Sequence, residues 1–302
     1  MTPTPHQAWL ESLRPKTLPL ACAAIIVGTA LAWWQGRFNP AVAVLSLITA
    51  SLLQILSNLA NDYGDAVKGS DKPDRIDPLR GMQKGVITQQ MKRALMIAVA
   101  LICLFGLALL FTAYQTLGDF IGFLVLGLLA IIAAITYTVG TRPYGYIGLG
   151  DVSVLIFFGW LSVIGSWYLQ AHSLSSAIIL PATACGLLAT AVLNINNLRD
   201  IDSDRENGKN ALAVRFRHHP RYHVCLLMGT LVCLALFNLF TLHSPWGWLF
   251  VLAAPLLVKQ ARYVMHELSP QAMPPMLERT VKGALLTNLL FVIGIVLSKT
   301  LA

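Results

Sequence analysis

Charge is scarce in this sequence. Only 12% of its 302 residues are Asp, Glu, Lys or Arg, against 56% hydrophobic, where soluble domains carry about a quarter charged residues. A disordered chain and an ordinary soluble domain are both excluded. Acids are scarcer than bases, 14 against 22, leaving a net charge of +8. Cysteine is limited to Cys22, Cys103, Cys185, Cys225 and Cys233. All five lie in or beside apolar runs without C-x-x-C spacing, so they read as small buried residues, not as disulfides or metal ligands. No Ser–His–Asp arrangement or covalent nucleophile is visible. In HHPRYH (218–223), His219 and His223 are four apart, but no third ligand accompanies them, and they read as solvated loop histidines.

What the chain has in quantity is long apolar segments. Nine approach the roughly 20 residues needed to cross a bilayer: Thr17–Trp34, Ala41–Leu59, Ala94–Tyr114, Phe120–Tyr137, Val152–Leu169, Ala177–Ile195, Val224–Leu242, Trp246–Val264 and Val281–Leu297. The first resembles a signal peptide at Ala30-Leu31-Ala32, yet its long polar start and the bulky Trp33-Trp34 predict a retained helix. With the N-terminus in the cytoplasm, the inner segments hold twenty of the 22 Lys and Arg, leaving only Arg37 and Lys299 outside. That asymmetry fixes orientation and supports the helix number, because dropping one crossing would invert every later loop. The positive charge is therefore topological and requires no nucleic acid, although an anionic ligand would also use it. The expectation is an all-α multi-pass membrane protein, one integral unit over 1–302, with long cytoplasmic loops at 60–93 and 196–223.

Those two loops carry related signatures. Asn58-x-x-x-Asp62 with Asp65 matches Asn196-x-x-x-Asp200 with Asp204, each at the end of an even-numbered span, suggesting an internal repeat. On a continuing helix, Asn58, Asp62 and Asp65 point within about 60° of one another and Asn196, Asp200 and Asp204 within about 80°. Each set would form one polar face at the cytoplasmic boundary. So many converging carboxylates repel one another unless a cation lies between them. Oxygen ligands without His or Cys suit a hard ion, above all Mg²⁺, which shares a few carboxylates with substrate phosphates. Two such sets are suited to clamping a diphosphate through bridging metal, with Arg14, Arg80, Lys84, Arg142, Arg199 and Lys209 available to phosphate oxygens. Asp71, Asp74 and Asp77 share no face and read as solvated, and Asp119 lies on the outer side. Tyr63, Tyr137, Tyr144, Tyr146 and Trp160 either line a pocket or serve as interfacial aromatics.

The paired motifs NDYGD (61–65) and NNLRDIDSDRENGK (196–209), on nine spans, resemble the UbiA-type intramembrane aromatic prenyltransferases. NLANDYGDAVKGSD, PLRGMQKGVIT, ITYTVGTRPYGYIGLGD and NINNLRDIDSDRENGKN are most similar to the 1,4-dihydroxy-2-naphthoate polyprenyltransferase branch of menaquinone synthesis. The resemblance runs from SLRPKTLP to the end.

It implies a ring-like bundle around a cavity open to lipid, in a bacterial inner membrane. Asp62, Asp65, Asp200 and Asp204 would bind polyprenyl diphosphate, octaprenyl being the expected length, through Mg²⁺. Asn58, Asn61, Asn196, Asn197, Tyr137, Arg14, Arg80, Lys84 and Lys209 are implied as substrate contacts and Arg142 as a further catalytic cation. The implied reaction is ionisation of the allylic diphosphate and attack by the naphthoate ring, then loss of a proton and, in this branch, of the ring carboxylate as CO₂, giving demethylmenaquinone. Two departures stand out. Gly69 occupies a position where the superfamily often has Asp, and Ala211 one where Thr is usual. The rival readings are another acceptor such as 4-hydroxybenzoate, a cation-coupled transporter, whose acids belong nearer mid-bilayer on broken helices, and a CDP-alcohol phosphatidyltransferase, whose D-x-x-D-G-x-x-A-R does not match DYGDAVKG.

Overall fold

The structure is a computed structural model that describes residues 4–69, 81, 82, 84, 85, 87–215, 220–267 and 269–301. Among the described residues all regular structure is helical, and nine helical segments are long and apolar enough to cross a membrane: Pro5–Trp34, Pro40–Lys68, Thr88–Ala113, Leu117–Thr136, Gly150–Ala171, Ser176–Arg199, Pro220–Leu242, Trp246–His266 and Pro270–Thr300. Each of the nine apolar runs falls inside one of these segments to within a residue. Several helices overrun the apolar part, and the second does so far enough to carry its acidic motif.

Local chemistry sets the boundaries that matter. The first segment is broken: Thr4 caps a short helix, Pro5–Leu13, which stops at Arg14 in the left-handed region (φ 48°) before the membrane helix Leu18–Trp34. Pro15 forces this elbow, since the residue before a proline is driven out of the right-handed helix. The second span starts at Asn39, whose side chain accepts from the Ala41 and Val42 amides, with Pro40 in the first turn. It ends at Gly69 with φ 64°. Glycine adopts that left-handed conformation without the steric cost of a Cβ, as is common just past a helix end.

The sixth span is the most enclosed, whereas the fourth has a single buried residue, Ala130. The fifth and sixth cross where a Cβ on Gly159 would lie 2.6 Å from the Ala182 carbonyl oxygen, so backbones meet directly, as small residues allow in lipid. Connections after the second, fourth and sixth spans gather at one end: Thr138 donates to the Ala60 carbonyl at 3.0 Å and the Asn210 amide to the Tyr146 carbonyl at 2.8 Å. At the other end Asp119 caps its own helix and accepts from Tyr168 at 2.7 Å.

Candidate active site

The second span winds without interruption through Asn58, Asp62 and Asp65, so the expected polar face is present. Its members have distinct partners. Asn58 donates to the Leu13 carbonyl at 2.8 Å and to Thr17 Oγ1 at 3.0 Å, and accepts from Gln54 at 2.9 Å. Both its donors are engaged in holding the Arg14 elbow. Asp62 is fully buried; Oδ2 accepts from the Ser12 hydroxyl and from the Met82 amide at 3.4 Å, while Oδ1 has no hydrogen-bond partner among the described residues. Asp65 Oδ1 accepts from the Tyr146 hydroxyl at 3.0 Å. Asn61 accepts from Thr138 at 3.0 Å. That approach depends on Gly64, where a Cβ would stand 2.8 Å from the Thr138 carbonyl oxygen.

The second motif is built differently, and the single continuous face expected for Asn196, Asp200 and Asp204 is not made. Its helix stops at Arg199, Asp200 leaves helical geometry (φ −97°, ψ 11°), and a short helix Ile201–Glu206 restarts. Arg199 holds Asp200 bidentately, Nε to Oδ1 at 2.9 Å and Nη2 to Oδ2 at 2.8 Å. Neighbouring side chains on a helix diverge by about 100° and do not face each other, so this pairing accompanies the break. Asn197 Oδ1 is buried without a hydrogen-bond partner among the described residues. Beyond Gly208 (φ 70°) the chain turns back, and the Lys209 ammonium meets both Asp204 oxygens at 3.2 and 3.1 Å.

Tyr146 and Lys209 join the motifs. The Tyr146 ring has the Lys68 ammonium over it at 4.0 Å and that of Lys209 at 6.0 Å, while its hydroxyl holds Asp65. Burial alone would lower the Lys209 pKa, but Asp204, then Tyr137 and Asp65, outweigh it and raise the pKa above the ordinary lysine value. One ammonium therefore responds to acids from both motifs, which fixes the two acidic tips at the same end of the bundle. They end the second and sixth spans instead of lying mid-bilayer, against the transporter reading.

Among the other predicted residues, Arg14, Asn58, Asn61, Tyr137 and Asn196 line a cavity of about 790 Å³. Its remaining wall is largely apolar, including Ile102, Leu110, Phe123, Phe157 and Leu193. Lys84 pairs with Glu11 at 2.9 Å, Arg142 is exposed after the fourth span, and Arg80 lies outside the described residues, as do Asp71, Asp74, Asp77 and His219. Tyr144 lines the cavity, whereas Trp160 donates to Thr183 at 3.0 Å. His223 corrects the solvated-loop reading: it is buried, with Nδ1 3.2 Å from Asn194 Oδ1. All five cysteines are free, but only Cys185 is buried, and Cys103 and Cys225 are exposed. Apolar sequence around a cysteine marks a membrane span and does not say whether it faces protein or lipid. Sequence reading missed Ser12 and Thr138 and named Tyr146 only as a pocket or interfacial aromatic; the three hold motif residues 50, 77 and 81 positions away.

Residues 21–277 match the sequence model of the UbiA prenyltransferase family. The chain belongs to that family. It is 82% identical over 296 residues to the 1,4-dihydroxy-2-naphthoate octaprenyltransferase of Escherichia coli, covering 97% of this chain and 96% of that one. It is 52% identical to the Haemophilus influenzae protein of the same name, covering 96% of each. The fold is shared with a solved UbiA homologue from Archaeoglobus fulgidus bound to GPP and Mg²⁺, at TM-score 0.63 and 16% identity, over 95% of this chain and 98% of that one.

The site's chemistry suits a magnesium ion shared with substrate. Among the described residues no three His, Cys, Asp or Glu side chains are grouped to hold a metal alone. Buried oxygens without hydrogen-bond partners nevertheless occur in both UbiA motifs, at Asp62 and Asn197, and a buried carboxylate oxygen left so is costly without a cation.

Proposed function

We infer that this protein transfers an octaprenyl group from its diphosphate to 1,4-dihydroxy-2-naphthoate, releasing diphosphate and CO₂, as one integral unit of a bacterial inner membrane with its N-terminus in the cytoplasm. One observation carries the reading: two Asn/Asp motifs, joined through Tyr146 and Lys209, lie at the same end of the bundle as the polar end of a largely apolar chamber of about 790 Å³. Hydrocarbon favours burial by about 0.8 kcal/mol per CH₂, or roughly 30 kcal/mol over an octaprenyl tail. Substrate and product therefore stay with lipid and the chamber while diphosphate exchanges with the cytoplasm.

Asp62, Asp65, Asp200 and Asp204 would hold magnesium against the diphosphate, and the bound ion supplies charge neutralisation for the departing group. Arg14 and Lys209 receive phosphate oxygens, with Arg80, Lys84 and Arg142 at the rim. Asn58 and its Gln54–Thr17 network fix the Arg14 elbow, and Asn61, Tyr137, Asn196 and Asn197 border the reacting ends. The allylic C–O bond breaks with its electron pair passing to diphosphate. The ring carbon bearing the carboxylate supplies the pair for the new C–C bond. The C–CO₂⁻ pair then returns to the ring as CO₂ leaves, which balances without a base. The chain's work is positioning, electrostatic preorganisation and exclusion of water from the cationic carbon.

The test is to incubate purified protein, Mg²⁺ and labelled octaprenyl diphosphate with a panel of aromatic acids and to identify products by mass spectrometry. The decarboxylated prenyl naphthalenediol is expected, and its absence, or preferential use of 4-hydroxybenzoate, refutes the assignment.

A further inference from the structure

The first motif contains an asymmetry that its sequence does not reveal. Asp62 is fully buried, and its two carboxylate oxygens have opposite surroundings. Oδ2 accepts from the Ser12 hydroxyl and the Met82 amide, whereas Oδ1 accepts from no group among the described residues. Neither partner of Asp62 is charged. Ser12, itself fully buried, also lies 3.1 Å from the Ala8 carbonyl. A hydroxyl has one proton, and a carboxylate attracts it more strongly than a neutral carbonyl. The helix presenting Ser12 is held firmly: Ala8 packs with Leu59, Met82, Ile87 and Met91, and a Cβ on Gly81 would stand 2.5 Å from the Ala8 carbonyl oxygen.

We propose that Ser12 is a positioning residue for metal binding: it occupies Asp62 Oδ2 and so fixes the carboxylate rotation that presents Oδ1 to the divalent ion. This rests on the metal–diphosphate reading above. A partner that orients a ligating carboxylate typically accounts for about 10–100-fold in metal affinity. Removing it leaves the ligand present but free to turn. Metal affinity should therefore fall further than the rate at saturating metal.

The test uses the full-length protein in detergent with a non-hydrolysable prenyl thiodiphosphate and Mn²⁺, free ion being counted by electron paramagnetic resonance. Ser12→Ala should weaken Mn²⁺ binding about 10–100-fold, Ser12→Thr should restore it, and Ser12→Cys, a weaker donor, should fall between. Prenyl transfer should show the same order in half-saturating Mg²⁺, with kcat at saturation within about threefold of wild type. Unchanged Mn²⁺ affinity in Ser12→Ala overturns the proposal. So does failure of Ser12→Thr to recover affinity while its melting temperature matches wild type. If Ser12→Ala does not fold, Ser12→Cys decides by the same affinity measurement. Wild-type protein that binds no Mn²⁺ with the analogue overturns the metal reading itself and this inference with it. Normal wild-type binding with an indifferent Ser12 overturns the inference alone.

Discussion

Tyr146→Phe isolates one hydroxyl at the junction of the two motifs. The substitution keeps the ring, and with it the Lys68 ammonium 4.0 Å above it, while removing the 3.0 Å donation to Asp65. The backbone contact from Asn210 to the Tyr146 carbonyl is also unaffected. Hydrogen bonds to charged groups contribute about 1.5–3 kcal/mol net. Asp65 is only half-buried, so water can replace part of the lost donor, and the lower figure applies. At about 1.4 kcal/mol per tenfold, the expected fall in kcat/KM for the prenyl diphosphate is roughly tenfold. Tyr146→Leu also removes the cation–π contact, worth about 0.5–1 kcal/mol for an exposed lysine, and should lose roughly threefold more.

The assay is initial-rate prenyl transfer by detergent-purified variants, at fixed acceptor and saturating Mg²⁺. A double-mutant cycle with Asp65→Asn separates positioning from general loosening. In the Asp65→Asn background the added cost of Tyr146→Phe should shrink to less than about twofold, because the charged acceptor is gone. A full tenfold loss in both backgrounds, or wild-type kinetics for Tyr146→Phe, would refute the assignment of Tyr146 as the hold on Asp65.

Other expected outcomes follow from the same geometry. Asp62→Asn should remain folded and membrane-inserted, since one oxygen can still accept from Ser12 and Met82, but its amide would offer hydrogens in place of the Oδ1 lone pairs; transfer should fall at least about 100-fold with only a small shift in detergent melting temperature. Lys209→Met should destabilise the protein by about 1–3 kcal/mol, which melting in detergent would read. Because the folded-state pKa of Lys209 is raised, that difference from wild type should be constant below about pH 10.4 and shrink only as pH rises through the folded value. Gly64→Ala should cost about 1–3 kcal/mol in melting and reduce transfer, since its Cβ would displace Thr138 from Asn61. Chelation should abolish transfer and Mg²⁺ restore it, with the helical circular dichroism spectrum unchanged throughout.

The nine crossings were legible because bilayer thickness imposes a length on each run, and the Asn58–Asp62–Asp65 face because a helix repeats every 3.6 residues. Ser12 and Thr138 were not, nor was the link from Tyr146 to Asp65, for a common reason: each decisive contact spans 50 to 81 residues, where no local period or cap points to the partner. His223 was misread because a Pro-His-Arg-rich segment looks like loop, whereas Pro220 is the first residue of a helix, Pro220–Phe237, that buries His223 against Asn194. Proline in a first turn begins helices as readily as it interrupts them.

The likeness of the two motifs also conceals a difference in how Asp62 and its counterparts in the second motif are held. In the second, Asp200 is held by Arg199 and Asp204 by Lys209, so both carboxylates meet cations of the protein's own. In the first, Asp62 is held by a hydroxyl and an amide. Hydrogen bonds from neutral donors orient a carboxylate without cancelling its charge, whereas ion pairs largely cancel it. An added cation is therefore attracted more strongly to Asp62 than to Asp200 or Asp204. An added anion finds Arg199 and Lys209 in the second, each able to exchange a carboxylate for a phosphate oxygen. Matched spacing in the sequence thus places unlike partners at Asp62 and Asp200: the Ser12 hydroxyl lies far before the first copy, whereas the Arg199 guanidinium lies within the second.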